Sequence, residues 1–123
     1  MGQAGRSSLD LLENIVIWGE RLARFLEGRS KEQFGSDELR QAAASKCVEA
    51  IGEASGDILR WHPDFASCNP GLALAEAYRM RNRLSHGYDS IDWSILWDTA
   101  TIYVPELVTK IRAILADGKA IEL

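Results

Sequence analysis

A chain of 123 residues, 46% of them apolar, can bury one proper core without disulfides or a structural metal. Its net charge of −4 excludes a protein that grips nucleic acid through a globally basic surface, so any contact with a polyanion must be local. No apolar run approaches the roughly 18 residues of a membrane-spanning helix, and Met1-Gly2-Gln3-Ala4-Gly5-Arg6 reads as neither a secretory signal nor a myristoylation site, which predicts a cytoplasmic protein without membrane contact.

The pattern is helical throughout. Leu11, Ile15, Trp18, Leu22 and Phe25 recur at steps of four and three, with Glu13, Glu20, Arg21 and Arg24 off that stripe, which predicts a first helix over Ser8 to Leu26 stopped by Gly28. Ser30 to Phe34 reads as a short turn that tucks Phe34 under the next element. Ser36 is placed to cap a second helix, with Asp37 and Glu38 favourable to the dipole of its first turn. This helix carries Leu39, Ala43, Cys47, Ala50, Ile51, Ala54 and Ile58 to about Trp61, and Gly52 and Gly56 on it leave room for a neighbouring helix to come close. Pro63 ends it, because the residue before a proline is pushed out of the helical region.

Asn69 and Pro70 supply a cap and a first-turn proline for a third helix through Leu72, Leu74, Ala75 and Tyr78, with His86 in its last turn and Gly87 as its breaker. Ser90 or Asp89 can cap a fourth helix whose stripe is Trp93, Trp97, Ala100, Val104, Leu107, Ile111 and Leu115. Pro105 interrupts that stripe. An interior proline costs roughly 3 kcal/mol unless the chain adjusts, so a kink or break is expected near Thr101 to Val104. No strand alternation or repeat is visible. The expected fold is all-α, an up-and-down bundle of four to five helices forming one domain over residues 1–123, with an ordered core of about 8–118.

Several residues read as structural. Cys47 lies in an apolar helical pattern and Cys68 in a loop, which suits reduced thiols. Glu49, Glu53 and Asp57 stand at four-residue steps and read as a solvated or salt-bridged face, with Glu53 the one able to approach the third helix. Trp18, Trp93 and Trp97 fall on core stripes, and Trp61 is the tryptophan expected to be exposed. With two histidines in the chain, neither a metal nor a cofactor is expected.

Chemistry concentrates in Arg81-Asn82-Arg83-Leu84-Ser85-His86-Gly87-Tyr88. A guanidinium is a planar fork of donors suited to a phosphate, and an imidazole exchanges protons near neutral pH. Arg79, Arg81 and Arg83 form the one dense basic cluster. By itself such a cluster is a solvated helix face, but sharing a helix with His86 makes Arg79 and Arg83 candidates for guiding a nucleic-acid strand. Residues five apart on a helix stand about 140° apart around its axis, so Arg81 and His86 do not share a face, whereas two such helices related by a two-fold axis can set both pairs around one cleft. Asn82 and His86, four apart, can face each other, so the amide is a candidate for orienting the imidazole.

The spelling R-N-x-x-x-H-x-Y, with Asn82 directly after Arg81, resembles the signature of the HEPN superfamily, and Tyr88 narrows the resemblance to the HepT-like toxins. Ile51-Gly52-Glu53-Ala54 upstream and Ile91-Asp92 downstream match as well, so the resemblance spans roughly Ser8 to Gly118. Asp64 to Gly71 departs from it, being longer and less regular than the family's usual link after a His-Pro pair.

The resemblance implies a HEPN-like helical bundle, a two-fold homodimer with a shared groove, and metal-independent endoribonuclease activity on RNA. Arg81 would then hold the phosphate and His86 perform acid and base chemistry, with Asn82 as orienting partner and Arg79 and Arg83 binding RNA. It further implies a toxin–antitoxin pair in which a cognate nucleotidyltransferase antitoxin attaches AMP to Tyr88 and silences the toxin. Ile95 and Ile102, off the main stripe, are candidates for the dimer interface. The alternative is a non-catalytic helical subunit that partners a nucleotidyltransferase. Arg81, Asn82, His86 and Tyr88 together favour the nuclease, since a scaffold needs none of them.

Overall fold

The computed structural model describes residues 5–86 and 92–118. Its described residues form an all-α bundle: α1 (Ser8–Leu26), α2 (Lys31–Gly35), α3 (Glu38–Trp61), α4 (Pro63–Cys68), α5 (Leu74–Ser85), α6 (Trp93–Asp98) and α7 (Val104–Asp117). No strand occurs among them. Four long pieces carry the bundle, namely α1, α3, α5 and the α6–α7 stretch, so the helical architecture expected from the sequence is the one observed. None of the described helices is long and apolar enough to cross a membrane.

The sequence gives α1 its expected bounds, with the Ser7 side chain accepting from the Asp10 amide at 3.0 Å. Its buried stripe is Leu11, Leu12, Ile15, Gly19, Leu22 and Leu26. Phe25, expected inside, is 40% exposed, because the stripe advances from Leu22 to Leu26 and leaves Phe25 at its edge. Phe34 is buried as expected, against Trp93 and Trp97 at ring separations of 6.4 and 5.4 Å. In α3 the cap is Asp37 rather than Ser36: Asp37 accepts from the Arg40 amide at 3.0 Å, while the Ser36 hydroxyl turns back to the Gln33 carbonyl. Leu39 faces solvent at 75% exposure.

α3 is the central helix, running antiparallel to α1 and to α5. The Arg40 side chain reaches the Phe25 carbonyl at one end of the α1–α3 pair, and His62 Nε2 lies 2.8 Å from the Arg6 carbonyl oxygen at the other. On the opposite side Gly52 and Gly56 bring α5 into backbone contact. A Cβ on Gly52 would stand 2.3 Å from the Arg81 Cβ and 2.4 Å from the Ala77 carbonyl oxygen, and one on Gly56 would stand 2.5 Å from the Tyr78 ring. Gly52→Ala therefore forces α5 outward at its backbone. The cost falls toward the upper end of the about 1–3 kcal/mol typical of overpacking and outweighs a helix-propensity gain of about 1 kcal/mol. A lower urea midpoint is the expected result; an unchanged or raised midpoint would show that the helices are less closely apposed.

The segment after Pro63 is regular rather than a loop. It forms α4 and a 3₁₀ turn over Pro70–Leu72. Asn69 does not cap the next helix: its amide donates to the Phe65 carbonyl at 3.0 Å and so closes α4. The chain then passes through Ala73 in the left-handed region at φ 51°, a conformation that costs a non-glycine residue about 1–2 kcal/mol. Side chains of the last helical stretch pin this joint. The Tyr103 hydroxyl bonds to the Ala73 and Leu72 carbonyls at 2.8 and 3.1 Å, and Lys110 Nζ to the Gly71 carbonyl at 3.0 Å.

Pro105 acts as expected. Thr99–Tyr103 form one wider π-helical turn between α6 and α7, which accommodates the missing amide donor. The wider turn also shifts the stripe, so Leu96 is fully buried while Trp93 and Trp97 are half-buried. The cap of α6 is Asp92, which accepts from the Ser94 amide at 2.8 Å; Asp89 and Ser90 lie outside the described residues. Cys47 and Cys68 are free thiols, and burial pushes Cys47 up to about 11.

Candidate active site

The motif lies on the last two turns of α5 and its cap. α5 ends at Ser85, and His86 is the capping residue, its amide donating to the Asn82 and Arg83 carbonyls at 3.2 and 3.3 Å. Its imidazole is exposed. At about 100° per residue, Arg79, Asn82, Arg83 and His86 fall within about 100° of arc and form one outward face. Arg81 stands on the far flank, turned toward α3 and half-buried. Tyr88 and Gly87 lie outside the described residues.

Two neighbours orient Arg81. Its Nη1 donates to the side-chain amide oxygen Oδ1 of Asn82 at 3.1 Å, and its Nη2 lies 3.5 Å from Glu53 Oε2 on α3. The Glu53 pair is long and partly solvated, a geometry worth at most about 1 kcal/mol, so it fixes a direction more than it adds stability. Among the described residues Arg81 Nε is buried with no partner. A guanidinium held this way keeps donors for an incoming phosphate. The Asn82 amide thus turns to Arg81, and among the described residues it makes no hydrogen bond to His86.

The carboxylates on α3 sort differently than a metal ladder would. Glu49 accepts from the Ser85 hydroxyl at 3.4 Å, and Glu53 meets Arg81. Burial, and next the repulsion of Glu53, push the Asp57 carboxyl above its usual range. Among the described residues no three His, Cys, Asp or Glu side chains stand together as metal ligands would. Of the remaining candidates, Arg79 is ion-paired to Glu76 one turn earlier, and Arg83 is exposed.

Residues 19–114, most of the chain, match the family described as "Ribonuclease HepT-like". The chain belongs to the HepT-like ribonuclease family. Among its relatives is a "Probable ribonuclease HepT" of Thermococcus cleftensis, 35% identical over 105 residues that cover 85% of this chain and 93% of the relative. A candidate RNase of Caldanaerobacter subterraneus is 30% identical over 88% of this chain and 94% of its own length, and one of Methanocaldococcus jannaschii is 27% identical over 86% and 89%. No solved structure matches significantly. Membership bears out the resemblance read from Arg81, Asn82, His86 and Tyr88, and with it the expected enzyme class, a ribonuclease.

Some contacts at the site were not legible in the sequence. Glu53 stood out only as one rung of an acidic row; its partner is 28 residues away and is met because Gly52 lets α5 approach. Tyr103 gave no signal, since its ties to residues 72 and 73 depend on the fold.

Proposed function

We propose that the protein is the endoribonuclease toxin of a toxin–antitoxin pair, acting in the cytoplasm as a homodimer that cuts RNA without metal, and that a nucleotidyltransferase antitoxin silences it by attaching AMP to Tyr88. The supporting observation is the placement of His86. It is exposed at the helix end on one face with Arg79, Asn82 and Arg83, while Arg81 is held at the flank by Asn82 and Glu53.

In this reading the ribose 2′-hydroxyl gives its proton to a neutral imidazole as O2′ attacks phosphorus. The P–O5′ bond breaks, and O5′ takes a proton from an imidazolium, leaving a 2′,3′-cyclic phosphate. Arg81 binds the phosphoryl oxygens on which charge builds. Because Arg81 and His86 point to different sides of α5, a two-fold pairing is what gathers two of each around one phosphodiester. The exposed Ile102, 65% accessible, is a candidate contact of that pairing.

Two measurements check this. At micromolar concentration the protein should sediment as a dimer; a monomer with full activity would contradict the shared cleft. Cleavage in EDTA should proceed within about twofold of the rate in Mg²⁺, since no step asks for a Lewis acid; its loss would contradict the mechanism.

A further inference from the structure

The far side of α5, turned away from α3, borders a groove that the mechanism above does not use. Glu76, Arg79, Met80 and Arg83 line it from α5 at steps of three and four, and Ile95, Thr99 and Tyr103 face them from the α6 and π-helical stretch. The groove holds about 340 Å³, within the about 300–1,000 Å³ range of small-ligand pockets. Its floor is apolar. Met80 is buried, Ile95 is 43% exposed, and the Tyr103 ring is fixed by the bonds of its hydroxyl to the Leu72 and Ala73 carbonyls. Burial pushes the Tyr103 phenol up to about 12, so the ring remains neutral.

The rim is polar and unevenly charged. Glu76 engages Arg79, whereas Arg83 has no carboxylate partner among the described residues. The Thr99 hydroxyl donates to the Ile95 carbonyl at 2.9 Å and keeps its lone pairs for another donor. His86 follows Arg83 by three residues on the same face of α5.

We propose that this groove is a subsite for one nucleotide of the RNA strand, with the base against Tyr103, Ile95 and Met80 and its phosphate at Arg83. The identity of the strand rests on the ribonuclease reading. A base presents a flat apolar face to such a floor and edge donors and acceptors to Glu76 and Thr99, and base–aromatic stacking is tolerant of sequence. The phosphate supplies an anion to Arg83, which meets none among the described residues. A second copy of the chain is the weaker fit, because interface cores are depleted of charge and this groove sets one exposed aliphatic side chain among three ionic ones; of the two isoleucines considered for the dimer contact, this leaves Ile102 and reassigns Ile95.

The test uses full-length protein in EDTA with two fluorescent oligonucleotides carrying 4-thiouridine: a 2′-O-methyl strand, which lacks the nucleophile, for binding by anisotropy and for photo-crosslinks mapped by mass spectrometry, and an all-ribose strand of the same sequence for cleavage. Crosslinks are expected on Tyr103 or Met80. Ile95→Trp, which fills the groove from an exposed position, should weaken RNA binding at least tenfold with unchanged sedimentation. One abasic nucleotide should cost the wild type a similar factor and the variant little more. Binding by Ile95→Trp equal to wild type, crosslinks elsewhere, or a change of oligomeric state that accompanies the loss would each overturn the proposal. Crosslinks in the groove without any cleavage of RNA would instead overturn the ribonuclease reading and leave the subsite standing.

Discussion

RNA cleavage should fall by about 10²–10⁴-fold in His86→Ala, and growth arrest on expression should disappear with it. The imidazole is exposed at the cap of α5 and takes no part in the core, so the helical circular dichroism and the dimer should be retained. Arg81→Ala should lose activity to a similar degree, through the phosphate rather than the proton. It also releases Glu53 and Asn82 from their contacts with the guanidinium, but these are partly solvated and their loss should leave the urea midpoint nearly unchanged. Arg81→Lys keeps the charge and loses the planar fork, so partial binding with little turnover is expected. If His86→Ala retains activity, His86 is a helix-capping residue only, and the non-catalytic partner of a nucleotidyltransferase becomes the better account.

Incubation with the cognate nucleotidyltransferase, ATP and Mg²⁺ should add mass in whole AMP units at Tyr88 and abolish cleavage in proportion. Each adenylate brings a phosphate and a bulky base two residues from His86, where the RNA backbone has to lie. Tyr88→Phe removes only the acceptor hydroxyl. It should fold, cut RNA at the wild-type rate, and stay toxic when the partner is co-expressed. Silencing of Tyr88→Phe as complete as that of wild type, with no adenylate in intact-mass spectra, would show that inhibition is by binding alone.

The long-range plan was legible because it depends on periodicity and on prolines. The bounds of α1, the end of α3 before Pro63 and the break before Pro105 follow from the apolar repeat and from a residue without an amide donor. The close approach of α5 was legible in Gly52 and Gly56, since a missing side chain on a helix face has few uses besides contact.

What escaped was the choice among nearby polar residues. Ser36 and Asp37 are equally good caps by type, and the decision falls to Asp37 because the Ser36 hydroxyl is taken by the end of α2. Asn69 next to Pro70 has the spelling of a helix start, yet its amide closes the preceding helix, and α5 begins only after Ala73. At the site, Arg81 and His86 were picked out by their chemistry, whereas the use of Asn82 was not. The amide can turn to either neighbour, and the half-buried guanidinium has more donors to satisfy than the exposed imidazole.

The central claim, attack by the ribose hydroxyl under the control of His86 and Arg81, is tested most directly by one cleavage assay. An RNA that the protein cuts is compared, in EDTA, with the same RNA carrying a single 2′-deoxynucleotide on the 5′ side of the scissile phosphate, and the product ends are identified by mass spectrometry. The all-ribose strand should yield a 2′,3′-cyclic phosphate and a 5′-hydroxyl, and the substituted strand should remain intact at that position. Cleavage of the substituted strand at the original position, or products bearing a 5′-phosphate, would contradict the mechanism.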